Sequence, residues 1–274
     1  MSNRPRLLFT PLKVGNITVK NRIVFSAHLT NYAEDFLPSE RHLYYYRERA
    51  RGGTGLIITE EQSTHPTDHP YEKLIHAFHR RVIPHYRRIT AAVHAEGTPI
   101  LAQINHNGGQ SSGMFTRLPA WAPSALADPL FREVAKAVEH EDILEIIQGY
   151  ARVAAYTREG GFDGVELQCS HSSIVRQFLS RNTNQRGDEY GGSLENRARL
   201  LREIIAAIRN EVGRDYVISV RLCGDELIRD GITLDETVAV ARLLDADGLI
   251  DLINTTIGTA TQTLYMIEAS LRIR

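Results

Sequence analysis

Residues 217–223 read VISVRLC, and this run is the clearest indication of the fold class. It is short and nearly continuously apolar, which is typical of a parallel strand that is covered on both faces. Similar runs, separated by helical stretches, occur along the rest of the chain. We therefore predict six strands, at 22–27 (RIVFSA), 55–59 (GLIIT), 99–104 (PILAQI), 164–168 (GVELQ), 217–223 and 249–254 (LIDLIN).

Helices are predicted between these strands, because polar caps and glycines mark where they begin and end. Ser39 and Ser193 can cap two of them, and Thr233 with Glu236 forms a T-x-x-E capping box for a third. Repeated strand–helix units indicate a parallel sheet with right-handed crossovers. A hairpin is predicted at the start, where apolar residues alternate on both sides of Gly15-Asn16. The predicted helices span residues 40–51, 79–96, 141–159, 194–212 and 234–246.

Two α/β architectures fit this order of elements. An open sheet that binds a dinucleotide would carry G-x-G-x-x-G after its first strand, but Ser26-Ala27-His28-Leu29 stands there. A (β/α)₈ TIM barrel needs no such loop and places its site at the carboxyl ends of its strands. Polar residues follow those ends here, which favours the barrel. They are His28, Glu60, Glu61, Gln103, Gln168, His171 and Arg221.

Composition excludes several classes of protein. The 32 Lys+Arg and 33 Asp+Glu leave a formal charge of −1, so a nucleic-acid partner is not expected. No apolar run approaches the roughly 18 residues of a membrane span. The N-terminus lacks a signal-peptide core, so we expect a cytoplasmic protein. Two cysteines and no H-E-x-x-H motif predict neither an iron–sulfur cluster nor a catalytic metal.

Several blocks of the sequence resemble the old yellow enzyme family of flavin-dependent oxidoreductases, from about residue 8 to about residue 258. They include LFTPLKVGNITVKNRIVFS, RARGGTGLIITE, AQINHNGGQ and GFDGVELQCSH. The longest is N-x-R-x-D-x-Y-G-G-S-x-x-N-R at 184–197. The branch that contains dienoyl-CoA reductase and trimethylamine dehydrogenase is the most similar. QCSHSSIV and TLYMIEAS also resemble the subgroup associated with mycofactocin biosynthesis.

The resemblance implies a barrel that holds FMN at its C-terminal mouth. The flavin would transfer a hydride through N5 between NAD(P)H, or an organic donor, and a small-molecule substrate. Ene reduction and oxidation of an amine or alcohol are both compatible with this enzyme class. Some relatives attach the flavin through a cysteine after the first strand, where this chain has Leu29, so non-covalent FMN is expected.

The resemblance also assigns cofactor contacts. Arg221 would approach the N1/C2-carbonyl edge of the flavin, where a cation stabilises the charge of the reduced ring. An alternative is that Arg221 is the structural partner of a buried Glu166. Gln103 would bond the pyrimidine edge, and Ala27 and His28 would contribute backbone groups, with the His28 side chain free to pack elsewhere. Glu61 occupies a position where relatives have a small flavin-contacting residue.

Gln168 and His171 are the predicted catalytic pair. Relatives carry a His/His, His/Asn or Tyr/His pair at this spacing, which hydrogen-bonds the activating oxygen of the substrate. The alternative is a pair of ordinary polar loop residues. Ser173 stands where many ene-reductases of the family have a tyrosine proton donor. Either the proton comes from another group, or the reaction is an oxidation in which no carbon is protonated.

The strand count leaves the barrel incomplete. Six strands account for the chain because the long segment at 105–140 uses the residues of two further units. We expect that segment to cover part of the substrate site, with Trp121 as a packing anchor. Residues 1–274 are thus predicted to be an FMN-binding TIM-barrel domain with about six of eight units, apparently truncated after the sixth strand. The alternative function is an inactive truncated fragment, and a homo-oligomer is possible.

Overall fold

In the computed structural model, which describes residues 7–259, six parallel strands form the central sheet of an α/β fold. They pair in the order in which they occur along the chain, β3-β4-β6-β9-β10-β11, and β5 pairs with the end of β4. The strands are β1 (Leu12–Val14), β2 (Ile17–Val19), β3 (Val24–Phe25), β4 (Leu56–Ser63), β5 (Ile75–His76), β6 (Ile100–Asn105), β7 (Trp121–Ala122), β8 (Lys136–Ala137), β9 (Gly164–Cys169), β10 (Val217–Cys223) and β11 (Leu252–Thr256).

Helices follow the strands and cover the outer face of the sheet. Two of them, α4 and α6, pack against each other and bury Ile143, Ile146, Leu201 and Ile204 completely. Such burial removes apolar side chains from water and is the main stabilising contribution to the fold. The helices are α1 (Glu40–Arg51), α2 (Ile83–His94), α3 (Gly113–Thr116), α4 (His140–Glu159), α5 (Ile174–Leu179), α6 (Leu194–Val212) and α7 (Leu234–Asp247).

The inner face of the sheet is apolar at one end and polar at the other. Val14 and Val19 of the predicted hairpin, which is present as β1 and β2, pack against Leu56, Leu101 and Val217. These three residues lie at or next to the first residue of their strands, so the hairpin covers the amino ends of the sheet. The carboxyl ends are left to the polar residues, as the barrel interpretation requires.

Most predicted elements are present, and the last strand is the main correction. The prediction placed it at 249–254, whereas β11 is Leu252–Thr256. The Asp251 carboxylate accepts hydrogen bonds from the Ile218 backbone N–H, at 2.9 Å, and from Arg209, at 3.0 Å. These contacts make residues 249–251 a connection that leads into the strand. The first strand is also shorter than predicted, with only Val24–Phe25 in the sheet.

The long segment at 105–140 contains α3 and the short pair β7–β8. Trp121 is 8% exposed and its ring centroid lies 4.7 Å from that of His65, so it packs as predicted for an anchor. No helix within the described residues is both long enough and apolar enough to cross a membrane.

Candidate active site

A buried carboxylate, Glu166 of β9, lies at the centre of the polar end of the sheet. It accepts hydrogen bonds from Gln103 Nε2 at 2.8 Å, Ser219 Oγ at 3.1 Å and Asn254 Nδ2 at 3.1 Å. Each donor comes from a different strand, so the carboxylate joins β6, β9, β10 and β11. Burial raises the pKa of Glu166. Three donors satisfy this group without an ion pair.

Arg221 lies two residues after Ser219 on β10, so the two side chains point to the same face of the sheet. In the register of the sheet it is opposite Gln168 and Asn254. Its Nη1 donates to the Ala27 carbonyl at 3.1 Å, while its Nε is buried without a partner among the described residues. Within those residues Arg221 forms no ion pair with any acid, Glu166 included. The charge of Arg221 still lowers the pKa of Glu166, so the alternative that Arg221 is a structural partner of Glu166 stays a prediction beside the flavin role. The guanidinium has a donor left for another acceptor.

Ala27 and His28 follow β3, and of the two only Ala27 contacts Arg221. Ala27 is 9% exposed and supplies the carbonyl that Arg221 contacts. The His28 ring turns to α1, where its Nε2 lies 2.8 Å from the Tyr45 hydroxyl, and its edge packs on Phe25. The His28 side chain thus packs against α1, and its backbone role at the site stays a prediction.

Glu61 lies near the end of β4 with its Cα paired to that of Gln103. One carboxylate oxygen accepts from the Tyr71 hydroxyl at 2.8 Å, and the other accepts from Asn105 Nδ2 at 2.6 Å. Burial raises the pKa of the Glu61 carboxyl, and the hydrogen bonds from Tyr71, Asn105 and Asn107 oppose that shift. The side chain is thus fixed in position beside Gln103.

Gln168 and His171 lie at the end of β9 and in the loop that follows. Gln168 Oε1 accepts from Ser170 Oγ at 2.6 Å, and His171 Nε2 lies 3.2 Å from Thr256 Oγ1. His171 has φ +47°, an unusual conformation for a residue with a side chain. Burial lowers the pKa of His171 to about 4, and the charges of Arg221 and Arg176 contribute. Its imidazole is therefore neutral at neutral pH.

Ser173 is fully buried and is the N-cap of α5. Its hydroxyl donates to the Gln168 carbonyl at 2.5 Å and accepts from the Val175 N–H at 3.2 Å. The Ser173 proton is thus already used within the protein. This hydroxyl joins the helix cap to the end of β9 and does not face a substrate.

Two polar residues of the site, Asn254 and Thr256, are absent from the sequence-based prediction. They alternate along β11 and contact Glu166 and His171. Three consecutive polar residues, Asn254 to Thr256, at the end of an apolar run are the signal that could have identified them. The misplaced boundary of the last strand concealed it, because a strand ending at 254 leaves Thr256 in a loop.

The strand ends offer groups that suit the edge of a flavin. Arg221 supplies a cation with a buried, unpartnered N–H, and Gln103 and Gln168 supply amides on neighbouring strands. An amide can both donate and accept, as the pyrimidine edge of the ring requires. Within residues 7–259, no group of three or more histidine, cysteine, aspartate or glutamate side chains could hold a metal ion.

Comparison with known proteins also indicates a flavin-binding protein. Residues 7–262 match the model of the NADH:flavin oxidoreductase / NADH oxidase family. Over 89% of its length the chain is 39% identical to N,N-dimethylglycine/sarcosine dehydrogenase of Chromohalobacter salexigens. Over 93% it is 36% identical to a probable N-methylproline demethylase of Rhizobium meliloti. The solved structure of a 2-naphthoyl-CoA reductase superposes with a TM-score of 0.89 at 32% identity, over 92% of this chain and 41% of that one.

The chain spans 36% and 37% of the lengths of the two curated relatives. The match to the family model, in contrast, covers nearly all of this chain. It confirms the family predicted from the sequence blocks and FMN as the cofactor. The chain belongs to the NADH:flavin oxidoreductase / NADH oxidase family.

Proposed function

We propose that this chain is the FMN-binding barrel of an oxidoreductase that oxidises a small N-methylated amine. When bound, FMN supplies a hydride acceptor at its N5 position. The amine would be the organic donor, and NAD(P)H is the alternative donor for the same flavin. The chain's own residues bind the flavin, orient the amine and control the charge around it.

The observation that carries this proposal is the position of Ser173. Ene reduction requires a proton for carbon, and Ser173 stands where ene-reductases of the family have their tyrosine donor. Its hydroxyl is buried and donates its proton to the Gln168 carbonyl, so it does not face a substrate carbon. Oxidation of an amine carbon needs no such donor. The names of the two curated relatives, a dimethylglycine/sarcosine dehydrogenase and an N-methylproline demethylase, agree with oxidation.

Arg221 is proposed to contact the flavin edge on which negative charge develops, because its Nε–H has no acceptor in the described residues. Gln103 would bond the same side of the ring while its Nε2 is held by Glu166. Ala27 and His28 would line the ring through their backbones. Glu61, fixed beside Gln103, would contact the cofactor from the end of β4.

His171 and Gln168 are proposed to orient the substrate. As a hydride leaves the amine carbon, positive charge develops on the amine nitrogen, and a cation close to it would oppose the reaction. His171 avoids this because burial keeps its pKa at about 4 and its ring neutral. Thr256 and Ser170 hold the two side chains in place, so both present polar atoms without adding charge.

We further propose that the six strands correspond to the first six units of an eight-stranded barrel, and that residues 1–274 act as one FMN-binding domain. In support, β3 and β11 each have one sheet neighbour within the described residues. Every residue of β11 is partly or fully exposed, whereas β6 and β9 are wholly buried. An inactive fragment is not favoured, because the described residues are well folded around buried, hydrogen-bonded strand ends.

The test is reconstitution of the chain with FMN, followed by anaerobic addition of N,N-dimethylglycine or N-methylproline. Loss of the oxidised-flavin absorbance is expected with an amine. The Ser173→Ala variant should show the same loss of absorbance. Reduction of an activated alkene with NAD(P)H, together with no bleaching by any amine, would contradict the proposal. A chain that binds no FMN would contradict the cofactor assignments as well.

A further inference from the structure

His171 keeps a backbone conformation that needs support from its surroundings. Its φ is +47°, in the left-handed region that a residue with a side chain adopts only where other contacts hold it. This angle decides where the Cβ, and with it the imidazole, points. On one side of His171, the Ser170 hydroxyl donates to Gln168 Oε1 at 2.6 Å. The support on the other side comes from Ser172.

Ser172 is joined to the turn that follows β6. The residue is partly exposed, and its hydroxyl donates to Asn107 Oδ1. Its carbonyl accepts from Gln177 Nε2 at 2.8 Å, and the same Nε2 donates to the Asn107 carbonyl at 2.9 Å. Side chain and backbone of Ser172 are therefore both connected to Asn107, the first directly and the second through Gln177.

The turn after β6 fits closely against the loop after β9. Gln177 Oε1 accepts from the Gly109 N–H at 2.9 Å. Gly108 has φ +61°, and a Cβ at this position would lie 2.6 Å from the same Gln177 oxygen. Because the two segments are in direct contact, a change in the turn is transmitted to the loop that carries His171.

Asp68, in the loop after β4, fixes the direction of the Asn107 amide. Asp68 is 0% exposed and Asn107 is 1% exposed. Asp68 Oδ1 accepts from the Asn107 backbone N–H at 2.9 Å and from Asn107 Nδ2 at 3.1 Å. Because this oxygen is the acceptor for both groups, the amide turns its nitrogen to Asp68 and its oxygen to Ser172. The backbone of Asp68 is held by hydrogen bonds of 3.0 Å to the His65 carbonyl and from Ser63 Oγ.

We propose that Asn107 is a positioning residue, which holds His171 in its left-handed conformation through Ser172 and is itself oriented by Asp68. This series of hydrogen bonds connects the loops after β4, β6 and β9, so three strand ends contribute to the position of one imidazole. Since Asn107 is buried, it acts through the loop and not by contact with a ligand. The inference rests on the proposed role of His171 in orienting the substrate, and it names the residues that determine where that ring lies.

Loss of these hydrogen bonds should move the imidazole of His171 towards water. In the intact protein burial lowers the pKa of this ring to about 4, and the charges of Arg221 and Arg176 contribute. A ring that becomes more exposed would recover part of the ordinary value of 6.5. The titration of His171 is therefore a measure of its position that requires no substrate.

The test is an NMR titration of the His171 Cε1–H signal between pH 7.5 and 5, in the chain with FMN and without it. The signal is identified as the one that His171→Asn lacks. Asn107→Ala removes the amide, and Ser172→Ala removes the hydroxyl that donates to it. Asn182→Ala is the matched control, because that amide is exposed and donates to the Arg229 carbonyl at 3.1 Å. Ser172→Ala alters a partly exposed residue and decides the question if Asn107→Ala does not fold.

We expect the signal of the unaltered chain and of N182A to complete only about a tenth of its change by pH 5, as a pKa of about 4 requires. In N107A and in S172A the midpoint should rise by at least one pH unit. The double variant N107A/S172A should match the single variants, because each of them removes the same hydrogen bond. An additive shift in the double variant, or an unchanged midpoint in S172A, would overturn the proposal.

Asn107→Asp tests the direction of the hydrogen bonds. The introduced carboxyl would lie against Asp68, and two carboxyls in contact share a proton. Burial already raises the pKa of Asp68 to about 7, so that proton is retained at pH 5 to 6. It replaces the Nδ2–H, and the other oxygen still accepts from Ser172. N107D should therefore titrate like the unaltered chain, and a shift equal to that of N107A would contradict the role of the amide.

The two proposals can fail separately. Flavin bleaching by amines is measured on its own, and its absence would count against amine oxidation while the titration still reports the position of His171. Bleaching together with an unchanged midpoint in N107A and S172A would leave amine oxidation supported and remove Asn107 as a positioning residue.

Discussion

Two arginines, Arg221 and Arg176, share an unusual feature: each has a buried Nε–H without a protein acceptor in the described part of the chain. They differ in their surroundings, because Arg176 is paired with Glu226 and Arg221 has no acidic partner there. An unpaired cation raises the affinity for an anion more than a paired one does. Arg221 is therefore the one of the two that we propose for the reduced flavin, whereas Arg176 is already paired with Glu226.

Replacement of Arg221 should weaken FMN binding. The Arg221→Gln variant loses a charged donor, and charge-assisted hydrogen bonds contribute about 1.5–3 kcal/mol, so we expect a roughly 10- to 100-fold higher Kd. The midpoint potential of bound flavin should become more negative, because the reduced ring loses its cation. Fluorescence titration and redox titration measure the two effects. The Arg229→Gln control, at a side chain that is 96% exposed, should change neither. An R221Q variant with unaltered potential would remove Arg221 from the flavin edge.

His171 should make the protein sensitive to acid. Its folded pKa is about 4 against an ordinary value of 6.5, so the unfolded chain takes up the proton first as the pH falls. The resulting stability is present above pH 6.5 and is lost between pH 6.5 and 4, with an upper limit of about 3 kcal/mol. His171→Asn suits the positive φ and removes this titration, so its urea stability should fall less between pH 7 and 5. The exposed His140→Asn should keep the steeper loss.

Part of the site is predictable from residues alone, and part depends on the register of the sheet. Arg221, Gln103 and Glu61 follow apolar strands, so their position at the carboxyl ends can be inferred from the run that precedes them. The direction of the His28 ring cannot be inferred in this way, because the ring is hydrogen-bonded to the Tyr45 hydroxyl on α1. The burial of Arg176 is equally hidden, since a charged residue in IVRQFL gives no sign that it pairs with Glu226 inside the protein.

At the scale of elements, caps and glycines predict helices better than apolar runs predict strands. Helix α6 occupies 194–212 as predicted, with Ser193 Oγ accepting from the Asn196 N–H. The six residues of α5 escape prediction, because one and a half turns carry no periodic pattern. Strand ends are set by contacts from other parts of the chain, such as Asp251 on β10, and these are long-range.

Strand β9 should tolerate no side chain at its first residue. A Cβ at Gly164 would lie 2.4 Å from the Val217 carbonyl oxygen and 2.8 Å from a Leu101 methyl, so both neighbouring strands would have to move. We expect Gly164→Ala to destabilise the chain by about 1–3 kcal/mol, as overpacking does. Gly187 has nothing within 4 Å of such a Cβ, so Gly187→Ala is the control and should be close to neutral in urea unfolding. Equal stability of the two variants would mean that the strands are not so closely packed.

At the scale of the whole molecule, the sheet is most protected in its middle. All six residues of β6 and of β9 are buried, and β10 is buried except for Arg221. The two outer strands are less covered, since Val24 of β3 is 47% exposed and β11 has no buried residue. Arg221 donates to the Ala27 carbonyl and so joins the carboxyl end of β10 to the loop after β3. Strand β3 is at the opposite edge of the sheet from β10 and β11.

Hydrogen exchange should reveal this gradient and its response to the cofactor. Amides of β6 and β9 should exchange slowest, and those of β3 and β11 fastest among the six strands, because local opening is easiest where one neighbour is missing. Bound FMN should slow exchange at the residues after β3 and at the end of β10 together, since both would contact the same ring. R221Q should abolish the coupled protection and leave β6 and β9 unchanged. FMN protection confined to one of the two places would show that the flavin does not bridge the sheet through Arg221 and Ala27.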